Sequence, residues 1–176
     1  MGLCTRCSNA PLRIERIRSA TYFGGILQEA IHHLKYRGRT ALAKPLGGLM
    51  AAYWQQHPMA ADVIVPVPLH ADRLRERGYN QAALLARELA RQARLAIDEQ
   101  TLVRKRATAS QVKLDAKQRK ENVHEAFCCS DGSLAGKRVL LVDDVCTTGA
   151  TLEACAITLQ ESGALSVQAL TLARAQ

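Results

Sequence analysis

Two hydrophobic patterns alternate along this chain: short uninterrupted apolar runs and longer segments with a helical repeat. The run Val139 to Val142 has four aliphatic residues without a polar interruption, which is typical of a strand buried on both faces in a parallel sheet. A similar run starts at Asp62, and its pairing should fail near Pro66 because proline has no N–H to donate. Shorter extended runs are predicted within 96–103, 123–127 and 167–172.

Four segments carry apolar residues at helical spacing. The first lies between Tyr22 and a basic turn at 35–39, the second begins near Pro45 and ends at His57, and the third follows the N-cap residue Asn80. The fourth follows the run at 139–142, with Leu152, Cys155, Ala156 and Leu159 on one face. Because strands and helices alternate, we expect an α/β fold whose ligand site lies at the carboxyl ends of parallel strands.

The composition indicates how many domains to expect and which classes of protein are excluded. The chain has 176 residues, of which 48% are hydrophobic and 23% charged, a size and balance suited to one globular domain. No apolar run approaches the roughly 20 residues of a membrane span, and no signal-peptide pattern opens the chain, so we expect a cytoplasmic protein without membrane insertion. The placement of the cysteines does not suggest a secreted disulfide framework, so we expect reduced thiols.

The net charge of the chain indicates an anionic partner but does not identify it. The net charge of +8 favours an anionic partner, such as a polyphosphate substrate or a nucleic acid. In the basic turn, Lys35, Arg37 and Arg39 either contact an anionic ligand or form a solvated helix end. The basic segment 104–122 has three interpretations: a mobile arm, a solvated charged helix or a nucleic-acid contact.

The run at 139–142 leads into two acids and a loop of small hydroxyl residues. Asp143 and Asp144 offer oxygen atoms to sugar hydroxyls or, through water, to Mg²⁺. The following loop enters a helix, whose first N–H groups and dipole favour a phosphate. The loop residues are Cys146, Thr147, Thr148, Gly149, Ala150 and Thr151. The pattern therefore suits a sugar phosphate, and an ordinary strand with a polar turn is the alternative.

Four motifs in order carry a family resemblance. The segment Val139 to Thr151 resembles the phosphoribosyl-pyrophosphate (PRPP) signature of type I phosphoribosyltransferases. Together with Lys-Tyr-Arg-Gly at 35–38, Pro-Val-Pro-Leu-His at 66–70 and Arg-Gly-Tyr-Asn-Gln at 77–81, it is similar to the ComF/GntX family, phosphoribosyltransferase-like proteins linked to DNA uptake and competence. The resemblance covers most of the chain from about residue 21.

The resemblance implies a type I phosphoribosyltransferase fold, with a central mainly parallel sheet, helices on both faces and a small N-terminal hood. It implies transfer of phosphoribosyl from PRPP to an unidentified acceptor with release of pyrophosphate, assisted by Mg²⁺. Asp143 and Asp144 would be the catalytic residues that hold the ribose hydroxyls and the magnesium, and the loop from Cys146 to Thr151 would bind the 5′-phosphate. Pyrophosphate would be bound by Val67, Pro68, Leu69, His70, Arg73 and Arg77. A flexible loop closing over PRPP would include Arg104, Lys105 and Gln111.

Several alternatives stay open beside this interpretation. Arg73 and Arg77 are also compatible with a generic basic turn. The protein could be a PRPP or nucleotide sensor, or an adaptor in DNA uptake that contacts single-stranded DNA without turnover. An oligomer is compatible with either role.

The start of the chain departs from the family pattern. Cys4 and Cys7 form one CxxC pair, half of a zinc ribbon, whereas family members usually carry two such pairs. Zinc binding there is one interpretation, and a disordered or truncated terminus is the other. We therefore expect residues 1–20 to be the remnant of a zinc-ribbon-like segment and residues 21–176 to form the phosphoribosyltransferase domain.

Overall fold

A computed structural model describes residues 13–105 and 126–175, which form a parallel sheet covered by helices. The strands are β1 (Arg16–Tyr22), β2 (Val63–Pro66), β3 (Ala96–Ile97), β4 (Leu102–Arg104), β5 (Phe127–Cys129), β6 (Arg138–Cys146) and β7 (Ser166–Arg174). The helices are α1 (Gly25–Tyr36), α2 (Ala43–Gln56), α3 (Ala71–Arg77), α4 (Gln81–Ala93) and α5 (Ala150–Glu161), with a short 3₁₀ turn at Thr40–Leu42. The five-stranded sheet has the order β1-β7-β6-β2-β3, and each neighbouring pair is parallel. Strands β4 and β5 form a separate antiparallel pair.

Alternate residues of β6 face two different cores. Val139 and Leu141 pack with residues of α5, whereas Leu140 and Val142 pack with residues of α1, α2 and α4. Since side chains alternate across a strand, an uninterrupted apolar run is what a strand with helices on both faces requires. The expected α/β sheet with helices on both faces is confirmed. Helices α1 and α2 lie in the segment expected to form the N-terminal hood, and they contribute residues to one of the two cores.

Three segments differ from the sequence predictions. The extended run at 96–103 divides into β3 and β4, which belong to different sheets. The cause is a turn in which Asp98 Oδ1 accepts the N–H groups of Gln100 and Thr101. Arg73 and Arg77, which are also compatible with a basic turn, instead belong to the short helix α3. Strand β5 starts at Phe127, at the end of the run predicted at 123–127, whose first three residues lie outside the described ones.

Strand β1 was not expected. Among the described residues it pairs with β7 alone and forms an edge of the sheet, where charged residues such as Arg16 and Arg18 are tolerated. Residues 16–20 belong to the segment assigned to a zinc-ribbon remnant, and the structure places them in the central sheet. Cys4 and Cys7 lie outside the described residues.

Two further features concern the class of protein. Within residues 13–105 and 126–175, no helix combines the length and apolar character that crossing a bilayer requires. The four cysteines in the described ranges, Cys128, Cys129, Cys146 and Cys155, are free thiols.

Candidate functional site

The acidic pair, the hydroxyl loop and the loop after β2 lie at the same edge of the sheet. Strands β2, β6 and β7 run parallel, so their carboxyl ends share that edge. The register pairs Pro66 with Val142 and Cys146 with Arg174. The last residues of β6, Asp143 to Cys146, thus lie between the neighbouring strands' carboxyl ends, where ligands of parallel α/β sheets bind.

The two carboxylates of β6 have different surroundings. Asp144 is buried, its Oδ1 accepts the Val145 N–H at 2.7 Å, and its Oδ2 lies 2.8 Å from Lys35 Nζ. Asp143 is partly exposed and accepts the Asp144 N–H at 2.8 Å. Burial and the neighbouring Asp144 carboxylate raise the pKa of Asp143 to about 8, which Lys35 partly opposes. The pair therefore places several carboxyl oxygens, which can accept hydrogen bonds, close together at one point.

The hydroxyl loop is a short turn that ends at the N-terminus of α5. Gly149 is the N-cap residue with φ of 81°, and Thr147 and Thr148 are exposed beside it. A Cβ on Gly149 would lie 3.1 Å from Ile17 Cδ1 of β1, so the loop rests directly on the edge strand. The first N–H groups of this 12-residue helix lie next to the loop, and such a helix N-terminus suits an anion.

Cys146 differs from the other loop residues because its side chain is buried. Its thiol lies 3.4 Å from Arg174 Nη1, and burial raises the thiol pKa. The contribution of Cys146 to a ligand is therefore limited to its backbone. Ala150 is exposed and Thr151 is partly exposed at the start of α5.

The loop after β2 is held in place by its neighbours. The Val67 N–H donates to the Val142 carbonyl oxygen at 2.9 Å, and Asn80 Nδ2 donates to the Val67 carbonyl oxygen at 3.0 Å. His70 caps α3 by accepting the Asp72 N–H at 3.3 Å on Nδ1. Pro68 and Leu69, between these anchors, are partly exposed beside β6.

A basic cleft of about 440 Å³ opens between the end of α1 and α3. Its lining consists of Lys35, Tyr36, Gly38, Arg73, Glu76, Arg77 and Tyr79. The lining has three cationic side chains and one carboxylate, so the cleft favours an anion. Lys35 lines this cleft and also forms the ion pair with Asp144, so one side chain borders both the cleft and the acidic pair.

Most of the predicted site residues that the structure describes lie around this edge. Arg104 is partly exposed; its guanidinium lies 5.4 Å from the centre of the Phe127 ring and interacts electrostatically with Asp143 and Arg73. Lys105 is exposed, and its backbone N–H donates to the Ala126 carbonyl oxygen at 2.8 Å. Gln111, predicted for the flexible loop, lies outside the described residues.

Tyr79 and Asn80 were missing from the predicted site residues, and Lys35 was named only as one of three basic residues that either contact an anion or form a solvated helix end. Each belongs to a motif that carries the family resemblance, Lys-Tyr-Arg-Gly or Arg-Gly-Tyr-Asn-Gln. The Tyr79 hydroxyl donates to the Leu34 carbonyl oxygen and so attaches the end of α1 to the basic cleft. Those motifs were the signal that could have identified all three.

The donor set fits a magnesium ion that arrives with a phosphorylated ligand. Within the described ranges, no cluster of three or more His, Cys, Asp or Glu side chains forms a protein cage for a metal. The buried Asp144 Oδ2 lacks an aligned hydrogen-bond donor there, although Lys35 lies close. Mg²⁺ in proteins is commonly bound by one or two carboxylates, water and substrate phosphates, a set that Asp143 and Asp144 can complete.

Comparison with known proteins agrees with this geometry. The model of the phosphoribosyl transferase domain family matches residues 50–176. The DNA utilization protein YhgH of Salmonella typhi is 37% identical over 97% of this chain and 77% of its own length. Competence protein ComFC of Bacillus subtilis is 31% identical over 93% of this chain and 66% of its own length.

The fold also resembles a solved enzyme structure. The glutamine PRPP amidotransferase of B. subtilis has a TM-score of 0.51 and 23% identity over 73% of this chain. The match spans 25% of that enzyme's chain, so it concerns the fold of one part of it. With its four ordered motifs and the site at the carboxyl edge of the sheet, the chain belongs to the phosphoribosyl transferase domain family, as a ComF-type phosphoribosyltransferase-like protein.

Proposed function

We propose that this protein binds PRPP at the carboxyl edge of its sheet and transfers the phosphoribosyl group to an acceptor, releasing pyrophosphate. The observation that carries the proposal is the convergence of three features at one edge: the acidic pair, the hydroxyl loop at α5 and the basic cleft. PRPP has three matching parts, a ribose diol, a 5′-phosphate and a pyrophosphate.

Each of the three features has a role in the transfer reaction, in which the acceptor displaces pyrophosphate from the ribose. Backbone N–H groups and hydroxyls of Thr147 to Thr151 bind the 5′-phosphate, and Asp143 and Asp144 accept hydrogen bonds from the ribose hydroxyls. The two carboxylates also stabilise the positive charge that develops on the sugar as the bond to pyrophosphate breaks. The loop at 67–70, with Arg73 and Arg77, holds the departing pyrophosphate. Asp143 and Asp144 would hold magnesium through water, and the ion would supply positive charge that offsets the charge of the leaving group.

A second candidate is a PRPP or nucleotide sensor or adaptor without turnover. The names of the similar proteins favour it, since "DNA utilization protein" and "competence protein" describe a use of DNA and not a chemical reaction. In both candidates we place the protein in the cytoplasm, in DNA uptake. Single-stranded DNA is a candidate partner in either case, and its binding would weaken steeply with salt.

Calorimetric titration with PRPP and magnesium chloride tests the shared part of the proposal. We expect Asp144→Ala to weaken binding about tenfold or more, because hydrogen bonds to a carboxylate are lost. Asp131→Ala is the matched control, since Asp131 is an exposed carboxylate in the turn that precedes β6. Equal affinities of the two variants would contradict the assignment of the acidic pair.

Pyrophosphate release separates the two candidates. The chain is incubated with PRPP, magnesium chloride and a panel of nucleobases and amines. Release that depends on one acceptor and is lost in Asp144→Ala supports the transferase. PRPP binding without release across the panel supports the sensor or adaptor.

A further inference from the structure

Lys35 comes from a part of the chain outside the matched family range, yet its side chain reaches the acidic pair. It lies in the last turn of α1, and its Nζ is 2.8 Å from Asp144 Oδ2. The Asp144 side chain is 4% exposed and that of Lys35 is 22% exposed. A buried carboxylate is costly unless a cation faces it, so Lys35 compensates the charge of Asp144.

The residues on each side of Lys35 contact the end of α3 and the segment that follows it. The Tyr79 hydroxyl donates to the Leu34 carbonyl oxygen, and the Arg77 guanidinium lies 5.4 Å from the centre of the Tyr36 ring. The two arginines of the same basic turn, at 37 and 39, are exposed. The Lys35 side chain therefore points toward the acidic pair, whereas Arg37 and Arg39 lie in solvent at the end of the helix.

Lys35 also lines the basic cleft together with Arg73 and Arg77. Its ammonium thus lies between a buried carboxylate and a space bounded by two guanidinium groups. Lys35 is paired with Asp144, whereas Arg73 and Arg77 give the cleft more positive charge than Glu76, the carboxylate among its described lining residues, can offset, so an anion is favoured there. An ammonium has three N–H donors, enough to contact Asp144 and an anion together.

We propose that Lys35 is a ligand-binding residue that also positions Asp144 and so links the two halves of the site. It holds Asp144 on the ribose side and donates to the diphosphate of the ligand on the cleft side. The identity of that ligand rests on the proposed function. Loss of Lys35 therefore weakens binding of a diphosphate directly, which a purely structural support of Asp144 would not do.

Two probes separate these roles in calorimetric titrations of the full chain: inorganic pyrophosphate with magnesium chloride, and ribose 5-phosphate. We expect Lys35→Met to weaken pyrophosphate binding about tenfold or more, the scale of a lost charge-assisted hydrogen bond. Lys137→Met is the matched control, an exposed lysine in the turn before β6, and should bind both probes like the wild type. Unchanged pyrophosphate affinity in Lys35→Met, with weakened ribose 5-phosphate binding, would reduce Lys35 to a support of Asp144 and overturn the proposal.

A second pair of variants covers the case in which Lys35→Met does not fold. Removing Lys35 alone leaves Asp144 buried without its cation, whereas Lys35→Met with Asp144→Asn removes both charges. Pyrophosphate should bind about tenfold more weakly to this double variant than to Asp144→Asn alone, and equal affinities would overturn the proposal. Ribose 5-phosphate binding without pyrophosphate binding in the wild type would overturn it and leave the ribose site standing. Failure of both probes and of PRPP would overturn the proposed function as well.

Discussion

Gly149 shows how one residue sets the shape of the hydroxyl loop. Its φ of 81° lies in the left-handed region, and the added Cβ of any other residue would lie 3.1 Å from Ile17 Cδ1. Both facts require the backbone to approach β1 closely while it turns into α5. A glycine at this point therefore allows the loop to place its N–H groups around a small anion.

We expect Gly149→Ala to weaken ribose 5-phosphate binding and to destabilise the fold by about 1 to 3 kcal/mol, the usual cost of left-handed backbone without glycine. Calorimetry measures the first effect and urea unfolding the second. Gly132→Ala is the control, since its Cβ would have no neighbour within 4 Å and its φ is not left-handed. Wild-type affinity in Gly149→Ala would contradict the role given to the loop.

At this scale the sequence predicted the residues that are contiguous and missed those that meet only through folding. Asp143, Asp144 and the hydroxyl loop follow one another in the chain, so their spacing alone indicates a sugar phosphate site. The ion pair of Lys35 with Asp144 and the contact of Ile17 with Gly149 join distant segments. No local pattern encodes which of several basic residues reaches a buried acid.

Helix α2 carries two adjacent glycines with opposite surroundings. A Cβ on Gly47 would lie 2.6 Å from Glu88 Cβ of α4 and 3.3 Å from the Leu85 carbonyl oxygen. A Cβ on Gly48 would have its nearest neighbour, Gln92 Nε2, at 3.8 Å. Gly47 therefore permits the close contact of α2 with α4, whereas Gly48 has no such requirement.

This difference predicts opposite effects of the same substitution in urea unfolding followed by circular dichroism. Gly47→Ala should destabilise the fold by about 1 to 3 kcal/mol, because the two helices must move apart. Gly48→Ala should stabilise it by about 0.5 to 1 kcal/mol, since alanine favours a helix over glycine. A stable Gly47→Ala variant would show that the contact of α2 with α4 is looser than described.

At the scale of elements, the helices and strands with a strong hydrophobic pattern were predicted correctly, and those with a weak pattern were not. Strand β6 and helices α4 and α5 have long apolar patterns and were predicted near their positions. Strand β1 mixes arginines with small and apolar residues and has no buried residue, so no continuous apolar run marks it as a strand. Helix α3 has seven mostly charged residues and no buried one, so no apolar face marks it as helical.

The whole molecule assembles its site from both sides of the matched family range. β6, α5 and the loop after β2 lie within residues 50–176, whereas Lys35 and Ile17 come from the part before it. Glu153, in the first turn of α5, accepts the N–H groups of Arg13 and Ile14 at 2.7 and 3.2 Å. The segment from residue 13 to residue 49 is therefore part of the site's support.

The central claim is that PRPP binds across the carboxyl edge of the sheet, and mapping of backbone amide shifts by NMR during titration with PRPP and magnesium chloride tests it most directly. We expect the largest changes at residues 147–151, at Leu69 and His70, and at Lys35, because these amides surround the three parts of the ligand. Shift changes confined to the amino ends of the strands, near Arg138 and Ser166, would contradict the claim, as would unchanged spectra at saturating PRPP.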